Sequence, residues 1–563
     1  MKYNEIIKLN NELEKKVNSA QYSIAIISNI MVHQSEEICE YFLRVDSINA
    51  KVLLGEYDNI VQGSIKFKDA NAVIIFWEAC NFIDGFHYKV ESFSNSEFES
   101  IIEKIKIEIN LVISNLEDTS LVLINRFSSL IFNQFSLSNN RINQLVERLN
   151  IFLEDRCSAN FEIIDIDKVI SRLSIKSSTD LRYYYSSKTL YSIDFYKKYF
   201  EYIKPIFLSK TGKIKKALIF DCDNTLWKGV LGEEGFENIK IYKEVQYLAL
   251  QLAKKGVIIC ICSKNNPEDV DNVLENHPDM IVRDKDIVIK KVNWNDKVSN
   301  LISIAQDLNI GLDSLVFLDD SSFEVGLIKH NLPSVKAFQV PSQEYKYGLL
   351  MRKVSNLFYI ASQTKEDVQK VQFYKDQLQR DKERGNIENI EDYLKSLDLV
   401  LVVHIDDLNQ VSRIAQMTQK TNQFNLTTKR YTESDIKKLV EDGSKTVISI
   451  SVSDRYGDSG ITGLSILDNS KSVVDTLLLS CRILGRNIEY KFMDIIVNFA
   501  KNKDVRVLNS QFIKTTKNQQ VSDFYEKCGF SKIGEVDDSV QYNIRIDGYK
   551  SKGIKYIKVI NGK

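Results

Sequence analysis

The sequence predicts an α/β protein of three domains: two parallel α/β domains followed by an α+β domain. Three observations predict it. The chain has 563 residues, enough for three or four domains at ~150 residues each. Two stretches alternate short apolar runs with longer amphipathic ones, the pattern of strands and helices around a parallel sheet. A strongly charged segment then precedes a final third that mixes five strands with a single helix.

Each element follows from its local pattern. Residues 1–205 form the first domain, with strands read in YSIAIIS, AKVLLGEY, NAVIIFW and SLVLINRF. The run SIDFYKKYFEYIKPIFLS is a helix leading out of it. Residues 213–345 form the second, with strands KALIFD, VIICICS, MIVRD and SLVFLDD. Between them EVQYLALQLAKKG reads as a helix closed by Gly256. Residues 346–395 are charged and helical in pattern, a solvated connecting helix. Residues 396–563 carry LVLVVHID, TVISISVSD, ITGLSILD, VVDTLLLS and VRVLNSQF as strands, with NIEYKFMDIIVNFAKNK as a helix. There is no internal repeat.

Composition excludes several function classes. The formal net charge is -1, which argues against a dedicated nucleic-acid partner. Eight Cys in a chain this long are no disulfide scaffold, and the five His form no cluster with zinc-site spacing. The first residues, MKYNEIIKLNNELEKKV, have no apolar signal core. No apolar run reaches the ~20 residues that span a bilayer. The expectation is a cytoplasmic protein with no membrane partner.

The most informative stretch is ALIFDCDNTLW, residues 217–227. A buried strand ends in Asp221, and Asp223 follows two residues on, on the same side by strand alternation. The carboxyl end of a strand is where open α/β sheets bind ligands. Paired carboxylates there invite a hard divalent cation, with Mg2+ favoured because it combines carboxylates with phosphate oxygens and waters. Ser263 closes a second apolar strand, placed to hydrogen-bond a phosphoryl oxygen. Lys297, in NWNDKVSNL, is placed to offset charge on a transferring phosphate. Asp319 and Asp320 close a further strand and complete a predicted metal set of Asp221, Asp223, Asp319 and Asp320.

In this order the signatures resemble the haloacid-dehalogenase (HAD) phosphotransferase superfamily. The resemblance implies that Asp221 attacks phosphorus and that Asp223 serves as general acid and then base. The short span between Asp223 and Ser263 leaves little room for a large cap, so an open site is expected.

The final third contains RIAQMTQKTNQFNLTTKRY (413–431), SDRYGDSGITG (453–463), LLLSCRILGRNIEYKFM (477–493) and FYEKCGF (524–530). A strand, then R-x-x-G-x-N, then a helix is an anion site suited to a pyrophosphate or phosphopantetheine phosphate, held by Arg482, Gly485 and Arg486. This resembles the GNAT acetyltransferase fold, with Asn487 in place of the usual final small residue. The Asn- and Gln-rich tract KTNQFNLTT reads as a polar binding wall or an inter-domain seam.

Together DCDNTLW, SKNN, NW-x-x-K, FLDD, KTNQFN, the GD motif, SCR-x-LGR and FYEK-x-GF resemble the FkbH-like family, over roughly residues 20–535. The resemblance implies a flavodoxin/SGNH-like parallel α/β domain, a HAD-IIIC Rossmannoid phosphatase domain and a GNAT-like α+β domain. It implies a Mg2+-dependent enzyme that takes a glyceryl group from 1,3-bisphosphoglycerate, dephosphorylates it and loads it on an acyl carrier protein for polyketide-type synthesis. The alternative is a simple cytoplasmic phosphatase of a small phosphorylated metabolite.

Thioester chemistry calls for a cysteine. Cys481, beside Arg482 and before a helix start, is preferred over Cys222, which lies between the two aspartates. Cys260 and Cys262 read as core, and Cys39, Cys80, Cys157 and Cys528 carry no motif. In the first domain Ser28 falls where SGNH-type hydrolases place their nucleophile. No His lies between His87 and His277, so the triad is incomplete and the domain reads as non-hydrolytic. His33 and His87 read as surface or packing residues, and His404 as structural. Residues 514–518 (KTTKN) and Lys429–Arg430 are candidate basic contacts for an acidic carrier.

Overall fold

Apolar runs this continuous form strands buried on both faces, and in the computed structural model of the chain those within NAVIIFW, KALIFD, VIICICS and SLVFLDD do so, whereas AKVLLGEY keeps exposed positions. It describes residues 1–17, 21–133, 140–158, 160–359, 372–376, 380, 389–441, 443–515 and 517–562, without the side chains of Ile390 and Cys481. The chain divides into two units, Met1–Leu208 and Ser209–Lys563. Among the described residues no helix is long and apolar enough to cross a membrane.

The first unit holds one parallel sheet of β1 (Tyr22–Ser28), β2 (Ala50–Tyr57), β3 (Ala72–Phe76), β4 (Val122–Asn125) and β5 (Phe161–Ile164) in the order 2-1-3-4-5. That is a doubly wound order. Every residue of β3 is buried. β5 is the strand the sequence did not show, because it is short and only its two ends are buried. The Asn95–Asn115 helix starts in a capping box of Ser94 and Glu97. The Ile193–Lys210 helix leads out as expected, with Pro205 inside it.

The second unit begins with another parallel sheet. Its strands are β6 (Ala217–Phe220), with β9 (Ile258–Ser263), β10 (Ile289–Val292), β11 (Leu315–Asp319) and β12 (Lys336–Gln339), in the order 10-9-6-11-12. A two-stranded flap of β7 (Trp227–Lys228) and β8 (Lys240–Ile241) follows the aspartate motif. The Lys243–Lys254 helix ends as predicted, with Gly256 at φ +85°. MIVRD is not a strand. Met280 and Val282 are buried in an irregular stretch, and IKKV takes the edge position beside β9. Lys290 and Lys291 pair with acidic residues, so that strand lacks an apolar signature.

The rest of the second unit is a mixed sheet. Its strands run β19 (Ser531–Val536), β20 (Ser539–Arg545), β18 (Val507–Ile513), β17 (Val473–Leu479), β16 (Gly457–Asp468), β15 (Lys445–Asp454), β13 (Val400–Ile405) and β21 (Lys558–Asn561). β17 and β18 pair only over Val473–Val474 and Asn509–Ser510, then part. The short strand β14 (Phe424–Asn425) pairs with the far end of β17. Leu426 N–H donates to the Leu477 carbonyl, and Ile513 N–H donates to Leu426, so KTNQFNLTT fills the split. The Asn518 side chain donates to the Asn425 carbonyl, and Asn425 accepts from Thr428 N–H. The polar tract is thus a largely bonded seam within the sheet, with Gln423 Oε1 buried and unbonded.

The connecting segment departs from expectation. Residues 360–371, 377–379 and 381–388 lie outside the described residues. Of its described side chains Phe373, Tyr374, Asp376 and Arg380 are buried, while Lys346, Arg352, Lys353 and Gln372 are exposed. Tyr374 packs in the core beneath β6, and Arg380 pairs with Asp454.

Candidate active site

β6 is wholly buried and ends at Phe220, which delivers Asp221 to the carboxyl edge of the sheet. The chain turns at once: Thr225 and Leu226 N–H both donate to the Cys222 carbonyl, and Asn224 sits at φ +51°. Asn tolerates that left-handed region, and its side chain accepts from Gly229 N–H at 3.0 Å. The Tyr347 hydroxyl donates to the Thr225 carbonyl at 2.9 Å and pins the loop from behind.

Lys297 opens the Lys297–Asp307 helix, which Asp296 caps through Ser299 N–H. Its ammonium lies 3.1 Å from Asp221 Oδ1 and 2.5 Å from Asp319 Oδ2, all three groups buried. Oxygens of Asp221, Asp319 and Asp320 lie within 4.8 Å of one another. Burial pushes Asp221 up to about 6, against the pull of Lys297 and with a further push from Asp319. The Ser263 hydroxyl at the end of β9 lies against Asp221 and favours its charged form. Asp320 is raised by burial and by the Asp319 charge. Burial opposes the Lys297 charge, yet Asp221 and Asp319 outweigh it and hold it protonated.

The donor set fits a hard divalent cation. Three clustered carboxylates face one ammonium, which leaves an excess of negative charge in a desolvated site. Asp221 Oδ1 faces Lys297 without a hydrogen bond of good geometry. An all-oxygen set of this kind suits Mg2+.

Asp223 stands outside this cluster, contrary to the sequence-based ligand set. Its Oδ1 accepts from Trp227 Nε1 at 2.9 Å and Leu231 N–H at 3.1 Å, and its Oδ2 from Asn265 Nδ2 at 3.0 Å. The strand ends before Asp221, so period-two alternation no longer governs the loop. Trp227 and Asn265 lay inside motifs already visible in the sequence, DCDNTLW and SKNN, without an evident role. Tyr347 lies far along the chain in an ordinary helical run and carried no signal.

Cys222 is fully buried in the apolar core, where burial and the Asp221 charge push its thiol well above the usual range. It is not a poised thiolate. Cys260 and Cys262 are core, as expected. The Cys481 side chain lies outside the described residues; its backbone opens the turn Cys481–Ile483.

The R-x-x-G-x-N loop divides its labour differently from expectation. Gly485 is at φ +79° and Asn487 at φ +62°, each suited to the left-handed backbone that leads into the Ile488–Asn502 helix. Arg486 is not an anion ligand. It is buried, 3.0 Å from Asp454, and donates to the Arg482 carbonyl. Arg482 stacks over Phe373 at 4.6 Å and lines a cavity of about 320 Å³. Lys213, Lys216, Arg413, Lys420 and Lys517 share that wall, with Asp313 its one carboxylate among the described residues. Asn422 and Gln423 of the polar tract also line it, so the tract is wall as well as seam.

Of the candidate basic contacts, Lys517 lines this cavity and pairs with Asp313 at 2.7 Å, while Thr516 lies outside the described residues. Lys429 pairs with Asp475, and the half-buried Arg430 donates to the Thr418 carbonyl and Asn422. That pair is structural. In the first unit Ser28 donates to the Ile30 carbonyl, and His87 stacks on Phe132 at 4.3 Å. His33 is exposed, and His404 bonds Ser451 within the sheet.

No protein-family model and no curated protein matches the chain. Solved structures do. The N-terminal part of BF1531 from Bacteroides fragilis, which contains a phosphatase domain and was solved with Mg, is 24% identical with a TM-score of 0.55. The match covers 64% of this chain and 100% of that one, and it shows a shared fold. Spermidine N-acetyltransferase from Vibrio cholerae is 12% identical with a TM-score of 0.22, over 27% of this chain and 98% of that one. Ribosomal-protein-S5-alanine acetyltransferase from Vibrio fischeri is 14% identical with a TM-score of 0.21, over 26% and 94%.

Proposed function

We propose that the chain is a Mg2+-dependent phosphatase coupled to an acyl carrier loader. The observation that carries this reading is the buried constellation of Asp221, Lys297, Asp319 and Asp320 at the carboxyl edge of a parallel sheet. Asp221 is placed as nucleophile: its oxygen bonds phosphorus as the P–O bond to the leaving group breaks. Asp223, oriented by Trp227, Leu231 and Asn265, gives its proton to the departing oxygen and then takes one from the water that releases phosphate. Lys297 and the Ser263 hydroxyl stabilise the phosphoryl oxygens. Asp221, Asp319 and Asp320 would hold Mg2+, which would offset phosphoryl charge, and the protein of like fold from Bacteroides fragilis was solved with Mg.

The finer reading is that the substrate is 1,3-bisphosphoglycerate, the acyl group is glyceryl, and Cys481 carries it to a phosphopantetheine arm. Thiolate attack on the acyl carbonyl would expel phosphate and keep the acyl energy as a thioester. The basic cavity beside Ser480 and Arg482 supports this, since it suits the phosphate of such an arm. A second reading, a phosphatase acting alone, is favoured by one observation: the cavity opens at the amino ends of β6 and β11, away from Asp221.

Intact-protein mass spectrometry after incubation with 1,3-bisphosphoglycerate and Mg2+ separates the two. The loader reading expects a glyceryl-sized gain that maps to Cys481 and disappears when a phosphopantetheinylated carrier is added. Free phosphate with no adduct on either protein would leave the phosphatase alone.

A further inference from the structure

Beside the phosphatase centre lies an open cleft of about 680 Å³. Asn224 and Asp320 form the end nearest the carboxylate cluster; Lys228, Tyr242, Gln339 and Lys346 line the rest. We propose that Lys228 and Lys346 hold a second anionic group of the phosphatase substrate, so that the enzyme selects small molecules bearing a phosphate at one end and another anion at the other. This rests on the phosphatase reading above and adds the residues that choose among phosphorylated substrates.

Both lysines are fixed by neighbours that build the catalytic loop. Lys228 follows Trp227, whose indole orients Asp223, and pairs in the flap with Lys240. Lys346 precedes Tyr347, whose hydroxyl holds the Thr225 carbonyl. The far wall is equally tied down: Val340 N–H donates to the Asp319 carbonyl, and Gln339 Nε2 donates to the Asp320 carbonyl at 3.2 Å. The cleft is therefore continuous with the site where the phosphoryl group would react.

The charges in it lack an internal explanation. Lys228 and Lys346 are exposed, and among the described residues neither is within ion-pair distance of a carboxylate. Among the described residues the Lys346 ammonium is recorded against the Tyr345 ring, 5.7 Å away. It sits in the first turn of the Glu344–Ser355 helix, where the positive end of the helix disfavours a cation. Glu344, in the same turn, faces Lys240 instead. Tyr242, which burial keeps as a neutral phenol, adds a hydroxyl donor. Two unneutralised ammonium groups and a donor beside a phosphate-transfer centre suit a carboxylate or second phosphate.

A matched pair of substrates tests this. 3-Phosphoglycerate and glycerol 3-phosphate share a three-carbon skeleton and a phosphate; only the first carries a second anion. The wild-type enzyme is expected to favour 3-phosphoglycerate in kcat/KM. Lys228→Gln and Lys346→Gln should each reduce that preference roughly tenfold, mainly through KM. Lys329→Gln, on an outer helix, should retain it. Calorimetry of 3-phosphoglycerate binding to Asp221→Asn, with and without each lysine change, reads the same contacts without turnover and expects the same loss. An unchanged preference and unchanged binding in both lysine variants would overturn the assignment. Failure of the wild type to hydrolyse either compound would sink the phosphatase reading, and the binding arm would still decide whether the lysines hold an anion.

Discussion

Asp221 and Lys216 stand at the two ends of one four-residue strand, β6. Asp221 belongs to the carboxylate cluster, whereas Lys216 lines the basic cavity. Ser314 and Asp319 bracket β11 in the same way. At ~3.3 Å per residue, some 16 Å of buried sheet separates the carboxylate cluster from the cavity. No small substrate touches both at once, so on the proposed reading phosphate removal and acyl handling would be successive events at separate places.

Separate places make the two activities separable by mutation. Arg482→Ala and Lys517→Ala should reduce transfer to a carrier more than tenfold, with phosphate release within about threefold of wild type. Asp221→Asn should abolish phosphate release. Parallel assays of released phosphate and carrier mass check this; loss of both activities in Arg482→Ala would contradict it.

Cation binding should stabilise the second unit. Three carboxylates crowd round Lys297 in a desolvated site, and a ligand that binds only the folded state raises stability by mass action. Millimolar Mg2+ should raise Tm by several degrees, and chelation should reverse the shift. Asp319→Asn should remove most of the shift. Lys297→Met leaves the carboxylates unpaired and should lower stability by about 3 kcal/mol without Mg2+. Differential scanning calorimetry measures all three.

The buried ion triad should matter as much as a piece of core. Asp454 is enclosed with Arg380 at 2.7 Å and Arg486 at 3.0 Å. Asp454→Asn strands two buried guanidinium groups, and a loss of about 3–5 kcal/mol in urea unfolding is expected. A change below 1 kcal/mol would return Arg486 to the role of anion ligand.

The first unit should lose stability as pH rises. Burial raises the Glu78 carboxyl to about 7 from an ordinary 4.5, helped by Asp167 and opposed by the Tyr191 hydroxyl. Folded chains therefore keep a proton that unfolded chains release. The contribution is complete below pH 4.5 and lost as pH climbs to about 7, a fall of roughly 3 kcal/mol. Glu78→Gln, neutral at every pH, should flatten that decline. Stability curves between pH 4.5 and 8 decide it; parallel curves for the two proteins would refute the assignment.

Much of this was legible because the candidate site's carboxylates and hydroxyl sit where apolar strands end. ALIF, IICICS and LVFLD are unmistakable buried strands, and Asp221, Ser263 and Asp319 close or follow them. What sequence could not supply were contacts made across distance. Tyr347 and Thr225 are joined only by the fold. Arg486 looked like an anion ligand because Asp454 lies 32 residues earlier in another motif. IKKV carries two lysines and reads as surface, although it forms an edge strand. The charged connecting segment suggested solvent, yet Phe373 and Tyr374 are buried among its polar neighbours.

The proposed function turns on Asp221, held by Lys297 within the Asp319–Asp320 cluster, as the nucleophile of a Mg2+-dependent phosphatase. The most direct measurement is phosphate release from 3-phosphoglycerate and acetyl phosphate by wild type and Asp221→Asn, with Mg2+ and after chelation. The account predicts release by the wild type with Mg2+, at least a thousandfold less from Asp221→Asn, and recovery of the chelated wild type when Mg2+ is returned. Equal release by wild type and Asp221→Asn, or release indifferent to chelation, would contradict it.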